Sequence, residues 1–390
     1  MTTNKISYHC SAPWISLSIN VDRSFSLCSN TMNSVKIGNW NEQSILETIN
    51  STALKNYRQA FLNNESIEIC NLCSSQEVSG INSKRLDYNS NYPLISFTDE
   101  DRKLSDIKHL EISLSNLCNQ SCRTCSSFLS SMWNKDSDKL RREIHTYSEV
   151  SEKQFNELLE VSKTLNSLVI SGGEPLIQEQ IFTLLENLIG TNNECNVTIS
   201  TSLSIPTSSI VRLISISKSL PNLSLNISLD GVGKKGEYIR AGVIFKDYED
   251  NIELVSSSSI PCAYQVTISI LNIFDIREIL TYIEKSPLSI IHGIEFYLVT
   301  NPTYYNIQIL PKKLKAILQA ELYSLVLDFK SSEKIRPLLR KVLSINTHLQ
   351  MDNVSANLKD FFRETKKVDR LRNEDFKKIF FNTYQLLKSY

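Results

Sequence analysis

From residue 107 onward, short apolar runs alternate with longer stretches of helical spacing. This pattern constrains the fold more than any other feature of the chain. The runs are "HLEISLS", "SLVIS", "NVTIS", "LSLNISL", "YQVTISI" and "IEFYLV". Between them lie segments such as "SEKQFNELLEVSKTL", "IQEQIFTLLENLIG" and "FDIREILTYIEK", with apolar residues three and four apart. Strand, helix, strand, repeated through six units, predicts an α/β domain: a parallel sheet with helices outside. Periodicity leaves open whether the sheet is flat or curls into a partial barrel. In both cases the ligand site belongs at the C-terminal ends of the strands.

The first strand runs directly into "CNQSCRTC", which spaces Cys118, Cys122 and Cys125 as C-x3-C-x2-C. Structural zinc sites are closed by four ligands, and ferredoxin-type clusters take four cysteines. Three thiolates on one loop can hold a 4Fe–4S cluster by three corners and leave the fourth iron open for a ligand. The second strand ends in Gly172-Gly173-Glu174-Pro175. The glycines permit close backbone approach, Glu174 adds a carboxylate, and Pro175 fixes the turn into the next helix.

Cys118-x3-Cys122-x2-Cys125 after strand one, with Gly172-Gly173-Glu174-Pro175 after strand two, resembles the radical S-adenosylmethionine (SAM) superfamily. The resemblance implies a partial (β/α)6 barrel over residues 107–305. It also implies a 4Fe–4S cluster whose open iron is chelated by the amino and carboxylate groups of SAM. Reductive cleavage would then give a 5′-deoxyadenosyl radical that abstracts a substrate hydrogen, inside a barrel that keeps water and side reactions out. By the same resemblance, Ser228 and Asp230 in "SLDG" belong near the SAM ribose, Arg240 near its carboxylate, and Asn272 in contact with it. Thr201 fits the Thr-Asn-Gly that many relatives carry after strand three, whereas Ser202 and Leu203 depart from it. Thr124 stands where relatives often have an aromatic residue near the adenine.

The first hundred residues carry Cys10, Cys28, Cys70 and Cys73, ending in a C-x2-C half-site. "APWISLSINVDRSFSLC" reads as a hairpin, and the segment after it as a turn leading to an amphipathic helix. This resembles the SPASM and twitch modules of radical SAM enzymes, which hold auxiliary 4Fe–4S clusters, although here the module precedes the barrel. Four cysteines suffice for one such cluster; a zinc-stapled mini-domain would use the same ligands. Cys195 and Cys262 each head a strand-like run and read as small buried apolar residues. The expected organisation is an auxiliary module at 1–85, a linker at 86–106, the barrel at 107–305 and a helical extension at 306–390.

Composition narrows the function classes. Lys plus Arg and Asp plus Glu both number 42, which removes the electrostatic case for nucleic acid or an anionic membrane. No run is long and apolar enough for a membrane helix, and the N-terminus lacks the pattern of a secretory signal. The expected setting is cytoplasmic, with a flavodoxin- or ferredoxin-type electron donor. The expected substrate is a peptide or protein undergoing modification. The alternatives are a redox or rearrangement reaction on a small molecule such as a sugar or alcohol, and a non-catalytic metal-stabilised binding protein.

Overall fold

The computed structural model describes residues 8–31, 36–78, 82–93, 100–290, 293–351 and 354–390. All six expected strands form: β4 (His109–Ile112), β5 (Ser167–Ile170), β6 (Asn196–Thr201), β7 (Leu223–Ser228), β8 (Cys262–Ile268) and β9 (Gly293–Leu298). They pair in parallel and in sequence order. Right-handed crossovers that never reverse direction keep every connecting helix on one face, as the partial barrel requires.

The amino-terminal segment adds three further strands to the same sheet. The expected hairpin is β1 (Ser16–Ile19) with β2 (Ser24–Ser26), followed by β3 (Gly38–Asn39). β1 pairs parallel with β4, giving the order β3-β2-β1-β4-β5-β6-β7-β8-β9. β1 thus covers the edge of β4 that would otherwise expose unpaired backbone groups. Residues 86–91 of the expected linker lie in the helix Lys84–Asn91. Its Tyr88 packs into a small core with Cys10, Trp14, Cys28 and Phe61, so this segment is part of the module rather than a free connector.

The two faces of the sheet differ sharply. Leu110, Ile112, Leu168, Ile170, Val197, Ile199, Leu225, Ile227, Tyr264 and Val266 face the helices and are buried. In the helix Ile276–Lys285, Ile276, Ile279, Leu280 and Ile283 form one apolar stripe against them. The alternate residues, aligned by strand register, are polar apart from Val169. His109, Ser167 and Asn196 form one layer; Glu111, Val169, Thr198 and Ser224 the next; then Ser113, Ser171, Ser200 and Asn226. Hydroxyl pairs link neighbouring strands: Ser113 with Ser171 at 3.0 Å and Thr198 with Ser224 at 3.1 Å. A packed barrel interior is filled by Val, Ile and Leu; this inner face is instead a hydroxyl- and amide-lined trough.

Candidate active site

The cysteine loop leaves β4 at its C-terminal end and crosses the mouth of the trough. A cavity of about 350 Å³ there is lined by Cys118, Cys122, Cys125, Gly172, Gly173 and Arg240, and by Ser113, Ser171, Ser200, Ser228 and Thr267 from the strand ends. All nine cysteines are free thiols. Burial, reinforced by neighbouring Cys122, raises Cys118 to about 11 and Cys125 to about 12. Burial also raises Cys122, against the pull of Arg240. Thiols crowded and buried in this way resist ionisation by themselves, and a metal that replaces their protons relieves the penalty. No group of three His, Cys, Asp or Glu side chains among the described residues is arranged to hold a single metal ion. The donor set therefore fits a 4Fe–4S cluster held by three thiolates.

The glycine turn is braced against this loop. Gly172 and Gly173 adopt φ of 85° and 56°, the left-handed region that disfavours side chains. A Cβ on Gly173 would lie 2.2 Å from the Leu117 carbonyl oxygen, and one on Gly172 2.5 Å from Ser113 Cβ. The next amide, Glu174 N, donates to that same Leu117 oxygen at 2.9 Å. Gly173 is thus required for the turn to seat on Leu117, which precedes Cys118, and Gly172 for its close approach to Ser113. Pro175 begins the following 3₁₀ turn and is buried beneath the site.

Glu174 acts as an anchor. Its buried carboxylate accepts from the Thr201 hydroxyl, the Ser202 amide and the Ser202 hydroxyl, each at 2.8 Å, and from Leu176 N at 3.2 Å. Thr201 and Ser202 line the cavity, but their hydroxyls are spent on Glu174. Leu203 has φ of 53°, a conformation glycine adopts without strain, which accounts for the residue type the resemblance expects there.

Arg240 reaches the cavity with one nitrogen on Asp230 at 2.8 Å and another near Gln120 Oε1 at 3.3 Å. Its Nε is buried without a hydrogen-bond partner among the described residues. Burial opposes its charge, but Cys122 and Asp230 outweigh that and keep the guanidinium firmly protonated. Asp230 ties β7 to β8 through Thr267 N at 2.7 Å. Ser228 lines the cavity.

Asn272 does not line the cavity. Its side-chain nitrogen donates to the Asp230 and Thr267 carbonyls at 2.9 Å each, and its oxygen accepts from Ser269 N at 2.8 Å. It is a fully satisfied turn brace that holds Asp230 in place. Gln120 was not apparent from sequence: its amide donates to Ser202 Oγ at 2.6 Å and joins the cysteine loop to the Glu174 anchor.

The four amino-terminal cysteines also come together. Cys10, Cys28, Cys70 and Cys73 line one cavity with Asn30, Lys84 and Arg85. Burial pushes Cys10 and Cys28 up, and Cys70 to about 12, with thiolate neighbours adding to the shifts of Cys10 and Cys70. Asn30 Nδ2 lies 3.5 Å from Cys73 Sγ. Four sulfurs, one N–H donor and two nearby cations suit a fully ligated anionic cluster. This site adjoins the trough: Ser29 N, beside Cys28, donates to Glu111 Oε2 at 2.8 Å, and Lys84 pairs with the same carboxylate.

Residues 112–283 match the family model of the radical SAM superfamily, and residues 10–74 match SPASM, an iron-sulfur cluster-binding domain. The chain therefore carries a radical SAM superfamily domain with a SPASM iron-sulfur cluster-binding domain ahead of it. Its cofactors are 4Fe–4S clusters and SAM. No curated protein matches the sequence. Among solved structures, native anSMEcpe with bound AdoMet is 16% identical, with a TM-score of 0.44 over 57% of this chain and 60% of that one. Streptococcus suis SuiB bound to S-adenosylmethionine is 15% identical, with a TM-score of 0.42 over 74% of this chain and 61% of that one. SuiB bound to its precursor peptide SuiA is 13% identical, with a TM-score of 0.41 over 67% and 60%. The chain thus spans about 60% of the length of these solved proteins. No helix among the described residues is long and apolar enough to cross a membrane.

Proposed function

We propose that this protein modifies a peptide by hydrogen abstraction in its polar trough, with the amino-terminal cluster taking up the electron that the substrate gives up. The observation that carries this reading is the continuity of the inner face. The cavity at the strand C-termini is lined by Ser113, Ser171 and Ser200. A second cavity of about 570 Å³ at the opposite ends is lined by His109, Ser167 and Asn196 of the same three strands. Four residues separate the two along each strand, about 13 Å. An extended chain rich in hydrogen-bonding groups suits a polar strip with a cavity at each end better than a compact small molecule does.

With cluster and SAM bound, the chemistry supplied is reductive cleavage to a 5′-deoxyadenosyl radical that removes one hydrogen atom from the substrate. The chain's own residues set the rest. Gly172 and Gly173 seat the turn against the cysteine loop, where its backbone would approach bound SAM. Arg240 presents the positive charge that suits the SAM carboxylate. Glu111 joins the trough wall to the loop of Cys28, so the substrate lies beside the site that accepts its electron. The cytoplasm, with a flavodoxin- or ferredoxin-type donor, is the setting that supplies reducing power.

The test uses anaerobically reconstituted protein, SAM, dithionite and a library of short peptides encoded near the gene. A peptide substrate raises 5′-deoxyadenosine release and emerges two hydrogens lighter or internally crosslinked. Stimulation by sugars or alcohols alone would instead favour the small-molecule reading.

A further inference from the structure

The carboxy-terminal extension reaches the cysteine loop. The helix Leu358–Arg372 is capped by Asn357 and ends at Asn373 with φ of 55°. Its Asp369, together with Glu374, pairs with Arg123, which lies between Cys122 and Cys125; the Asp369 contact is 2.5 Å. Arg123 is fully buried, stacked 3.6 Å over the Tyr238 ring, and donates to the Tyr238 carbonyl at 3.1 Å. Asp369 also accepts from Tyr238 OH at 2.7 Å and from Phe376 N at 2.9 Å. The end of the helix is therefore locked to the loop that carries the thiols.

Arg372 occupies the last turn of that helix. Its Nε donates to Asp136 at 2.8 Å, and its guanidinium sits 4.6 Å over the Trp133 ring. Trp133 in turn donates from Nε1 to the Cys122 carbonyl at 2.8 Å. The Arg372 side chain is only 9% exposed, yet both outer nitrogens lack a hydrogen-bond partner among the described residues. An unpartnered buried guanidinium nitrogen is costly unless something completes it. Cys122 feels the positive charge of Arg372 as well as that of Arg240. Arg240 spends two nitrogens on Asp230 and Gln120, whereas neither outer nitrogen of Arg372 is partnered among the described residues.

We propose that Arg372 is a positioning residue that tunes the barrel cluster. Its guanidinium, stacked on the Trp133 ring that is bonded to the Cys122 carbonyl, holds a positive charge beside the cysteine loop, and this charge, offset once by Asp136, raises the reduction potential of the cluster. Hydrogen bonds to sulfur and nearby cations both favour the more negative, reduced state. The proposal rests on the reading that Cys118, Cys122 and Cys125 hold the cluster.

The experiment is an EPR-monitored redox titration of reconstituted full-length protein, following the signal that SAM addition alters. Arg372→Gln is expected to shift the midpoint to a more negative potential, and Arg372→Lys, which keeps the charge but not the paired donors, by less. Asp136→Asn, which leaves the guanidinium uncompensated, is expected to shift it positive. Opposite signs exclude simple loosening of the helix, which would move all three variants alike. An unchanged midpoint in Arg372→Gln, or the same sign in Arg372→Gln and Asp136→Asn, overturns the proposal. If Arg372→Gln assembles no cluster, Asp136→Asn decides: without a positive shift the proposal fails. A wild type that takes up iron but shows no SAM-sensitive signal overturns the site reading itself.

Discussion

Replacing Gly173 with alanine probes the joint between the two motifs that define the site. The residue sits at φ 56°, where a side chain costs about 1–2 kcal/mol. The new Cβ would lie 2.2 Å from the Leu117 carbonyl oxygen, so one of the two must move. Moving Leu117 sacrifices the Glu174 N–H bond to the same oxygen at 2.9 Å, worth about 1 kcal/mol net. The sum is a loss of about 2–3 kcal/mol, centred on the residue that precedes Cys118. Gly190 provides the control. It lies in the helix Glu179–Thr191, and a Cβ there meets nothing within 4 Å, so alanine should be neutral or stabilising by up to about 1 kcal/mol. The assays are denaturant unfolding, iron per chain after reconstitution, and SAM affinity by equilibrium dialysis. Gly173→Ala should be less stable, hold less iron and bind SAM more weakly; Gly190→Ala should match wild type in iron and SAM. A Gly173→Ala protein equal to wild type in all three would refute the argument that the turn is seated on the cysteine loop.

Three further outcomes follow from the same geometry. Glu174→Gln leaves an amide where the carboxylate accepts four hydrogen bonds, so about 2–3 kcal/mol of stability should be lost, measurable by urea unfolding; an unchanged midpoint would show that the anchor is dispensable. Cys70→Ala with Cys73→Ala should remove about half of roughly eight irons per chain and leave SAM cleavage intact while lowering the ratio of product to 5′-deoxyadenosine. An unchanged ratio would reduce the amino-terminal site to a structural cover. Thr198→Phe should fill the trough midway between its two cavities. SAM cleavage without substrate should persist and product formation should fall, and undiminished product would mean that the substrate lies elsewhere.

Much of the barrel is legible in the sequence because its strands are local apolar runs whose helices repeat at threes and fours. The cysteine loop and the glycine turn are legible for the same reason: each motif is contiguous. What escapes is non-local. The pairing of β1 with β4 joins segments some ninety residues apart, and nothing in either segment names its partner. Arg123 meets Asp369 across 246 positions, and nothing in the expected helical extension at 306–390 names the thiol loop as its partner. Asn272 misleads because an amide after a strand serves a ligand or a turn equally well, and here the carbonyls of Asp230 and Thr267 claim it. The polar trough, by contrast, was open to inspection. Strict alternation in "NVTIST" and "LSLNIS" is unusual for parallel strands, which are commonly apolar on both faces, and it marks a sheet with one face left for a ligand.

The central claim is that Cys118, Cys122 and Cys125 hold a cluster that cleaves SAM reductively. Its most direct test is 5′-deoxyadenosine release from anaerobically reconstituted protein with SAM and dithionite, comparing wild type with Cys122→Ala. The account predicts slow release from wild type and none from the variant, with the amino-terminal iron retained in both. Release from Cys122→Ala at the wild-type rate, or a wild type that binds iron at this loop yet never yields 5′-deoxyadenosine, would contradict it.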